Sequence, residues 1–297
     1  MVDIPFMKTV ICIAGPTASG KSAFAVRLAK KCNGEIINAD ALQVYEQLKI
    51  LSARPTEADM EGIAHHLYGF VSARTRYSTG KWLRDVTPVI QEVSGRGKIP
   101  ILVGGTGLYF KALTDGLADI PEPVEAAQRY AREILEYHGI DKLRTEAEKL
   151  DPEATARVMG NDPQRLLRIV SVALGTIKSL SAWQADTHPV LAREQWKGFV
   201  LIPPREKLYE RINARFDHMV ENGGLDEARA LLAMGLSPYL PAMKAIGVRE
   251  LCAHLKGEMS LEEAMDLARQ QTRRFAKRQL TWLRGNMKGW KTVSDPT

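Results

Sequence analysis

Thr9-Val-Ile-Cys-Ile-Ala14, then Gly15-Pro-Thr-Ala-Ser-Gly20, then Lys21-Ser22 and a helical run to Lys31: the chain opens with strand, loop and helix in direct succession. The first six residues are β-branched or apolar, as a buried strand requires, and Phe24, Ala25, Leu28 and Ala29 recur with the period of one helix face. The loop between them matches G-x-x-x-x-G-K-[ST] at every fixed position and sits after a strand and before a helix, the context the motif needs. Successive N–H groups of such a loop curl around phosphate oxygens. The helix N-terminus adds its positive end, Lys21 neutralises charge, and the Ser22 hydroxyl can ligate Mg²⁺. Gly15, Pro16, Thr17, Ala18, Ser19, Gly20, Lys21 and Ser22 therefore form the expected phosphate site, of the general type that marks nucleotide-binding and ATP-binding chains.

Outward from this unit, residues 35–38 form a second short strand running into Asp40, and residues 99–103 a third that ends in Gly104-Gly105-Thr106-Gly107. Strands alternating with helices predict an α/β fold, a parallel sheet with helices on both faces. From Gly116 the texture changes. Asp119-Ile-Pro-Glu-Pro123 breaks the chain, and the pattern to about Trp183 is helical. A buried-strand pattern returns at residues 198–202, followed by amphipathic helices over 205–222, 225–234 and 260–284. The expected organisation is a P-loop-type core from residues 1–116 and 199–297, with a helical insertion domain at 117–198. The strand after the insertion is expected to rejoin the first sheet.

Composition narrows the functional classes. With 297 residues, 45% of them hydrophobic, the chain can bury a sizeable core, which excludes a disordered or fibrous protein. Three scattered cysteines exclude a disulfide scaffold and fit a reducing, cytoplasmic compartment. No apolar run is long enough to span a membrane, and nothing marks an oligomer interface, so a monomer is expected. The net charge of +6 is divided as +4 over residues 1–116, −2 over 117–198 and +4 over 199–297, a distribution that places the basic excess at the two ends.

Ordinary P-loop hydrolases carry a second acid for Mg²⁺ at the end of an apolar strand. Here the strand at 99–103 ends in glycines, and the acid at a strand end is Asp40. Its position is at the carboxyl edge of the sheet beside the phosphate loop, where open α/β folds place their chemistry; a helix N-cap is the structural alternative. Glycines around Thr106 allow backbone to approach a ligand closely, or simply make a turn. His65-His66 lacks the i, i+4 spacing of a helical metal pair and is expected to serve packing or a substrate channel rather than zinc.

Several motifs align, in order, with one family. Gly15-Pro-Thr-Ala-Ser-Gly-Lys-Ser22, Asp40-Ala-Leu-Gln-Val-Tyr45, His65-His-Leu67, Val103-Gly-Gly-Thr-Gly-Leu-Tyr109, Asn161-Asp-Pro-Gln-Arg-Leu-Leu-Arg168, Arg211-Ile-Asn-Ala-Arg-Phe216, Met243-Lys-Ala-Ile-Gly-Val-Arg249 and Ala276-Lys-Arg-Gln-Leu-Thr-Trp-Leu-Arg284 resemble the tRNA dimethylallyltransferases over nearly the whole chain. Two stretches depart from the family pattern: Ala41 stands where a Ser is usual, and Leu51-Ser-Ala-Arg-Pro55 replaces Gly-Thr-Ala-Lys-Pro.

The resemblance implies that the P-loop holds the diphosphate of dimethylallyl diphosphate, and that the allyl group passes to N6 of the adenosine 3′ of the anticodon, position 37, in tRNAs reading codons that begin with U. It implies Asp40 as general base, Thr106 as a partner of Asp40 or the adenine, Arg215 on the diphosphate, and Mg²⁺ on Ser22. For tRNA it implies contacts from Asp40, Ala41, Leu42, Gln43, Thr106, Gln164, Arg165, Leu166, Leu167, Arg168, Lys244, Arg249, Arg273, Lys277 and Arg278. The anticodon loop has to present an extruded base, which calls for phosphate contacts and stacking. Arg269, Arg273, Arg274, Lys277, Arg278, Arg284, Lys288 and Lys291, interleaved with Phe275, Trp282 and Trp290, have that composition, and a solvated helix face is the plain alternative. Prenylation of free adenine nucleotides, a small-metabolite kinase and a non-catalytic RNA-binding module are the competing functions. The basic C-terminal helix counts against the first and the missing strand-end acid against the second.

Overall fold

The computed structural model describes residues 9–294. In chain order the elements are β1 (Val10–Ala14), α1 (Lys21–Cys32), β2 (Gly34–Asn38), α2 (Glu57–Met60), β3 (His65–His66), α3 (Thr79–Gly95), β4 (Ile99–Gly104) and α4 (Gly107–Thr114). Then come α5 (Glu125–Glu133), α6 (Gly139–Leu150), α7 (Pro152–Ala156), α8 (Pro163–Gly175) and α9 (Leu180–Ala185). β5 (Trp196–Leu201), α10 (Arg205–Met219), α11 (Leu225–Ala233), α12 (Val248–Leu255), α13 (Leu261–Asn286) and β6 (Lys291–Val293) complete the chain.

Every strand pair among the described residues is parallel, and the sheet order is β3-β2-β4-β1-β5-β6. β1 lies centrally, with Cys12 opposite Leu102 of β4 on one side and Gly198 of β5 on the other. Buried on both faces, such strands read as continuous apolar runs, which is why β1 and β4 stand out in the sequence. Ile13, Ile36, Ile101, Val103 and Leu201 pack against Ala25, Val26 and Ala29 of α1. On α3, Trp82, Val86, Ile90 and Val93 are buried at helical spacing, and the Trp82 indole donates to the Asn38 carbonyl at 2.9 Å while stacking on Tyr109. These contacts fix the carboxyl ends of β1, β2 and β4 side by side, the edge at which open parallel sheets bind ligands.

Near its start β2 carries a buried acid. Glu35 accepts from His66 of β3 at 2.7 Å, Arg96 at 2.7 Å and Lys98 at 2.9 Å. Burial alone would raise its pKa, but hydrogen bonds from Lys98, His66 and Arg96 outweigh it and hold the carboxyl down at about 2. The His65-His66 pair thus sits on a two-residue strand, with His65 bonded to the Ile63 carbonyl.

The chain divides into two compact units, one made of the stretches up to Thr114 and from Leu191 onward, the other of Asp115–Val190. The boundaries expected at 116/117 and 198/199 shift to 114/115 and 190/191. The second moves because Trp196 and Lys197 already pair with Val10 and Ile11 of β1. Within the insertion unit, Ala131, Leu143, Ala147, Leu166, Ile169 and Val170 form a core of their own.

Two expectations fail at the C-terminus. The basic run does not continue as one surface: α13 ends at Asn286, and Lys291 begins an edge strand, β6, whose three mostly exposed residues give no strand pattern. Trp290, expected among base-stacking aromatics, is a packing residue. Its ring lies over Gly198, where a Cβ would come within 2.3 Å, and it contacts Trp196 and Phe110.

Candidate active site

The phosphate loop leaves β1 at Gly15, whose N–H donates to the Gly104 carbonyl at 3.3 Å, so the loop is tied from the start to the end of β4. Gly20, at φ 83°, turns the backbone into α1, and that left-handed turn is why glycine stands there. Lys21 Nζ donates to the Pro16 carbonyl at 3.3 Å across the loop. Burial lowers its pKa to about 8, with Asp40 opposing and Arg215 reinforcing the fall. A cation held this way, with no carboxylate on it, is free to meet an incoming anion. The Ser19 hydroxyl is buried inside the loop without a hydrogen-bond partner among the described residues.

Asp40 follows β2 in a tight turn. Its N–H donates to Asn38 Oδ1 at 2.8 Å and its Oδ1 accepts from the Leu42 N–H at 3.0 Å, an Asx turn rather than a helix cap. Asn38, fully buried, holds the turn from below by donating to the carbonyls of Asp40 and Leu67. Thr106 holds it from the side: its Oγ1 accepts from the Ala41 N–H at 3.0 Å, and its own N–H donates to the Ala39 carbonyl. The hydroxyl of Thr106 therefore orients the Asp40 turn. Asp40 Oδ2 is left without a hydrogen bond among the described residues and points toward Gly105, where a Cβ would lie 3.4 Å from it. At Gly104 a Cβ would fall 1.9 Å from the Ala39 carbonyl oxygen, so the two strand ends can approach this closely because the residue is glycine.

Arg215 reaches the site from α10 and hydrogen-bonds the Thr17 hydroxyl. Burial lowers its pKa and the Asp40 charge works against that fall. Gln279, from α13, accepts from the Thr17 N–H at 2.9 Å and donates to the Gly105 carbonyl at 2.9 Å. It lies within one of the family-like motifs, yet the sequence assigns it no role.

Several of these groups border a cavity of about 620 Å³. Thr17, Arg215 and Gln279 lie on its phosphate-loop side, Asp40, Ala41, Leu42, Gly105 and Thr106 beside them, and Ile212, Phe216, Met219, Ile246, Phe275, Trp282 and Leu283 supply apolar walls. Lys244 and Arg278 also line it. The apolar wall is not legible in the sequence. Ile212, Phe216 and Met219 have helical spacing, but that pattern marks a buried face and not what the face encloses.

The remaining expected tRNA contacts divide. Lys244, Arg249, Lys277 and Arg278 are exposed. Arg273 donates to Asn213 Oδ1 at 2.7 Å, and Arg269 is engaged by Asp217 and Asp266. Gln43 spends its amide on the carbonyls of Ser52 and Ala53, shaping the loop that carries Ser52 to the cavity. In the insertion unit, Asp162 caps α8 by accepting from the N–H groups of Gln164 and Arg165. Gln164, Arg165 and Arg168 are exposed, while Leu166 is fully buried in the insertion core and Leu167 packs beside it. The expected RNA contact by the Leu166 side chain is therefore corrected: it holds α8 in place. Arg54 keeps its cation but directs it to the carbonyls of Tyr45 and Glu46, over Gly69.

The donor set suits a magnesium ion. The Ser22 hydroxyl at the start of α1 is a hard oxygen without a hydrogen bond among the described residues. Mg²⁺ takes one or two such protein ligands with phosphate and water completing its shell. No cluster of three or more His, Cys, Asp or Glu able to hold a metal occurs among the described residues, so a site of protein ligands alone is not built here. Among the described residues no helix is long and apolar enough to cross a membrane.

Residues 43–286 match the family model described as IPP transferase, and residues 8–69 the model described as isopentenyl transferase. A tRNA dimethylallyltransferase of Caulobacter sp. (strain K31) is 52% identical over 285 residues, 96% of this chain and 92% of that protein. The full-length tRNA isopentenylpyrophosphate transferase of Bacillus halodurans has a similar structure: TM-score 0.69 and 35% identity, over 97% of this chain and 90% of its own. A eukaryotic dimethylallyltransferase, described in crystallographic snapshots acting on tRNA, gives a TM-score of 0.83 and 29% identity, over 97% of this chain and 74% of its own.

Proposed function

The chain belongs to the IPP transferase family, and on that premise we propose that it transfers the dimethylallyl group of dimethylallyl diphosphate to N6 of a tRNA adenosine. The adenosine is the one 3′ of the anticodon, position 37, in tRNAs reading codons that begin with U. The observation that carries this reading is a cavity that Thr17 of the phosphate loop, an apolar wall and Asp40 line together, with Asp40 Oδ2 free of hydrogen bonds among the described residues. A hydrolase or kinase needs a phosphate loop and a metal acid; an apolar chamber beside the loop suits a donor whose other end is a hydrocarbon.

The exocyclic amine of adenine is a weak nucleophile because its lone pair is delocalised into the ring. As N6 bonds to the allylic carbon, that carbon's bond to the diphosphate oxygen breaks and its electron pair leaves with the diphosphate. The N6 proton passes to Asp40 Oδ2, which the Asn38 and Thr106 hydrogen bonds hold in place. Charge growing on the leaving diphosphate meets the loop N–H groups, Lys21 and Arg215. The Ser22 hydroxyl would hold a Mg²⁺ ion, which would supply further positive charge there. The walls of Phe216, Met219, Trp282 and Leu283 keep water from the allylic carbon. Arg278, Lys277, Lys244 and Arg249, exposed on the rim and beyond, engage the backbone of the anticodon loop, with Gln164, Arg165 and Arg168 of the insertion unit as further contacts. The protein acts as a monomer.

The test is direct. Incubation with Mg²⁺, labelled dimethylallyl diphosphate and unmodified tRNA, followed by nuclease digestion and mass spectrometry, should give N6-dimethylallyladenosine with one diphosphate released per base. Phosphate release from ATP without base modification would replace this reading by the kinase or hydrolase one.

A further inference from the structure

A glutamine in the middle of a basic helix would ordinarily be a solvated residue. Gln279 is instead 7% exposed, and both ends of its carboxamide are engaged by main chain from elsewhere in the sequence. Oε1 accepts from the Thr17 N–H and Nε2 donates to the Gly105 carbonyl, each at 2.9 Å. Thr17 belongs to the loop after β1 and Gly105 to the turn after β4, and these strands are neighbours, with Ile13 opposite Val103. The side chain therefore spans the gap between two loops at one sheet edge. The fit is close: a Cβ on Gly105 would lie 2.4 Å from Gln279 Nε2.

The two loops carry the two halves of the chemistry. Thr17 is fixed at its N–H by Gln279 and at its hydroxyl by Arg215. Gly105 precedes Thr106, whose hydroxyl holds the Ala41 N–H next to Asp40. A carboxamide is the side chain that accepts at one end and donates at the other in one plane, as these two main-chain groups demand. We propose that Gln279 is a positioning residue for the transfer, setting the register between the loop that holds the diphosphate and the turn that aims Asp40. This deepens the reading of the site given above and depends on it. Because Gln279 is buried, it acts on the donor and the chemical step and not on the grip of α13 on RNA.

Two variants test this in the full-length protein. Gln279→Leu leaves both main-chain groups without partners, and kcat/KM for dimethylallyl diphosphate should fall by roughly 10- to 100-fold, with the tRNA Kd nearly unchanged. In Gln279→Glu the ionised carboxylate sets an oxygen against the Gly105 carbonyl, while the protonated acid restores a donor there. Its rate, divided by the wild-type rate at the same pH, should rise as pH is lowered from alkaline to mildly acidic values. That recovery is a signature that simple loosening of the fold does not produce, and it can be read even where Gln279→Leu fails to fold. A folded Gln279→Leu with wild-type kcat/KM, or a Gln279→Glu ratio that stays flat with pH, overturns the proposal. Absence of transfer by the wild-type protein would instead overturn the function on which it rests.

Discussion

Lys21 is held in a loop that gives it one carbonyl partner, the Pro16 oxygen, and its ordinary pKa of 10.5 drops to about 8 because burial disfavours the charge more than Asp40 supports it. Between those two values the unfolded chain keeps the proton that the folded one releases, so the group makes folding more favourable as pH rises across that window. Donor binding has the opposite sense, since a diphosphate prefers the protonated lysine. Donor KM should therefore rise as pH climbs through about 8, and calorimetry in buffers of different ionisation heat should show proton uptake on binding in that range. In Lys21→Gln the KM should be raised by roughly tenfold or more and its dependence on this ionisation lost. Unchanged pH dependence in the variant would assign the titration to another group. Lys21 and its loop are legible in the sequence because the motif is contiguous. Gln279 is not, because its partners lie 262 and 174 positions away, and no local pattern records a separation of that kind.

Elements differ in how much they reveal by the same physics. β1, β4, α1, α10, α11 and α13 announce themselves by apolar runs or 3.6-residue periods, and their predicted bounds move by only a few residues, whereas α3 and α12 have no predicted bounds. β6 is short and mostly exposed, so it reads as tail, and Trp290 reads as an aromatic available to RNA until its packing against Gly198 is seen. The Glu35 cluster is also invisible in the sequence, because an acid in a strand pattern gives no sign of the three basic side chains that converge on it. The ionised Glu35 stabilises the β2–β3 edge, a contribution fully present above the usual carboxyl value of 4.5 and lost as pH falls through about 2. Its partners Arg96 and Lys98 are partly exposed, which moderates the effect. Glu35→Gln should cost about 1–3 kcal/mol in urea unfolding at neutral pH, and the gap from wild type should narrow in acid. An equal cost at all pH values would mean that packing, not charge, holds this edge.

At the scale of the molecule, net charge matters less than its placement. The C-terminal stretch from 199 carries +4, yet Arg269 and Arg273 turn inward to Asp217 and Asn213, while Arg274, Lys277 and Arg278 are exposed cations beside Trp282. Replacing Lys277 and Arg278 by Ala should weaken tRNA binding and flatten the slope of log Kd against log salt by about 0.7–0.9 for each phosphate that is no longer neutralised. An unaltered slope would return this face to plain solvation. Both stretches of the core unit are needed to build the site: two strand ends supply the loop and the Thr106 turn, a third supplies Asp40, and α10 and α13 close the cavity with Arg215 and Gln279. All of these converge on one carboxylate oxygen, Asp40 Oδ2. Single-turnover rapid quench with donor and tRNA bound, comparing wild type with Asp40→Asn, isolates its role. The predicted result is a transfer rate lower by about 10²–10⁴ with donor affinity nearly intact; a variant that transfers at the wild-type rate would contradict the assignment of Asp40 as the base.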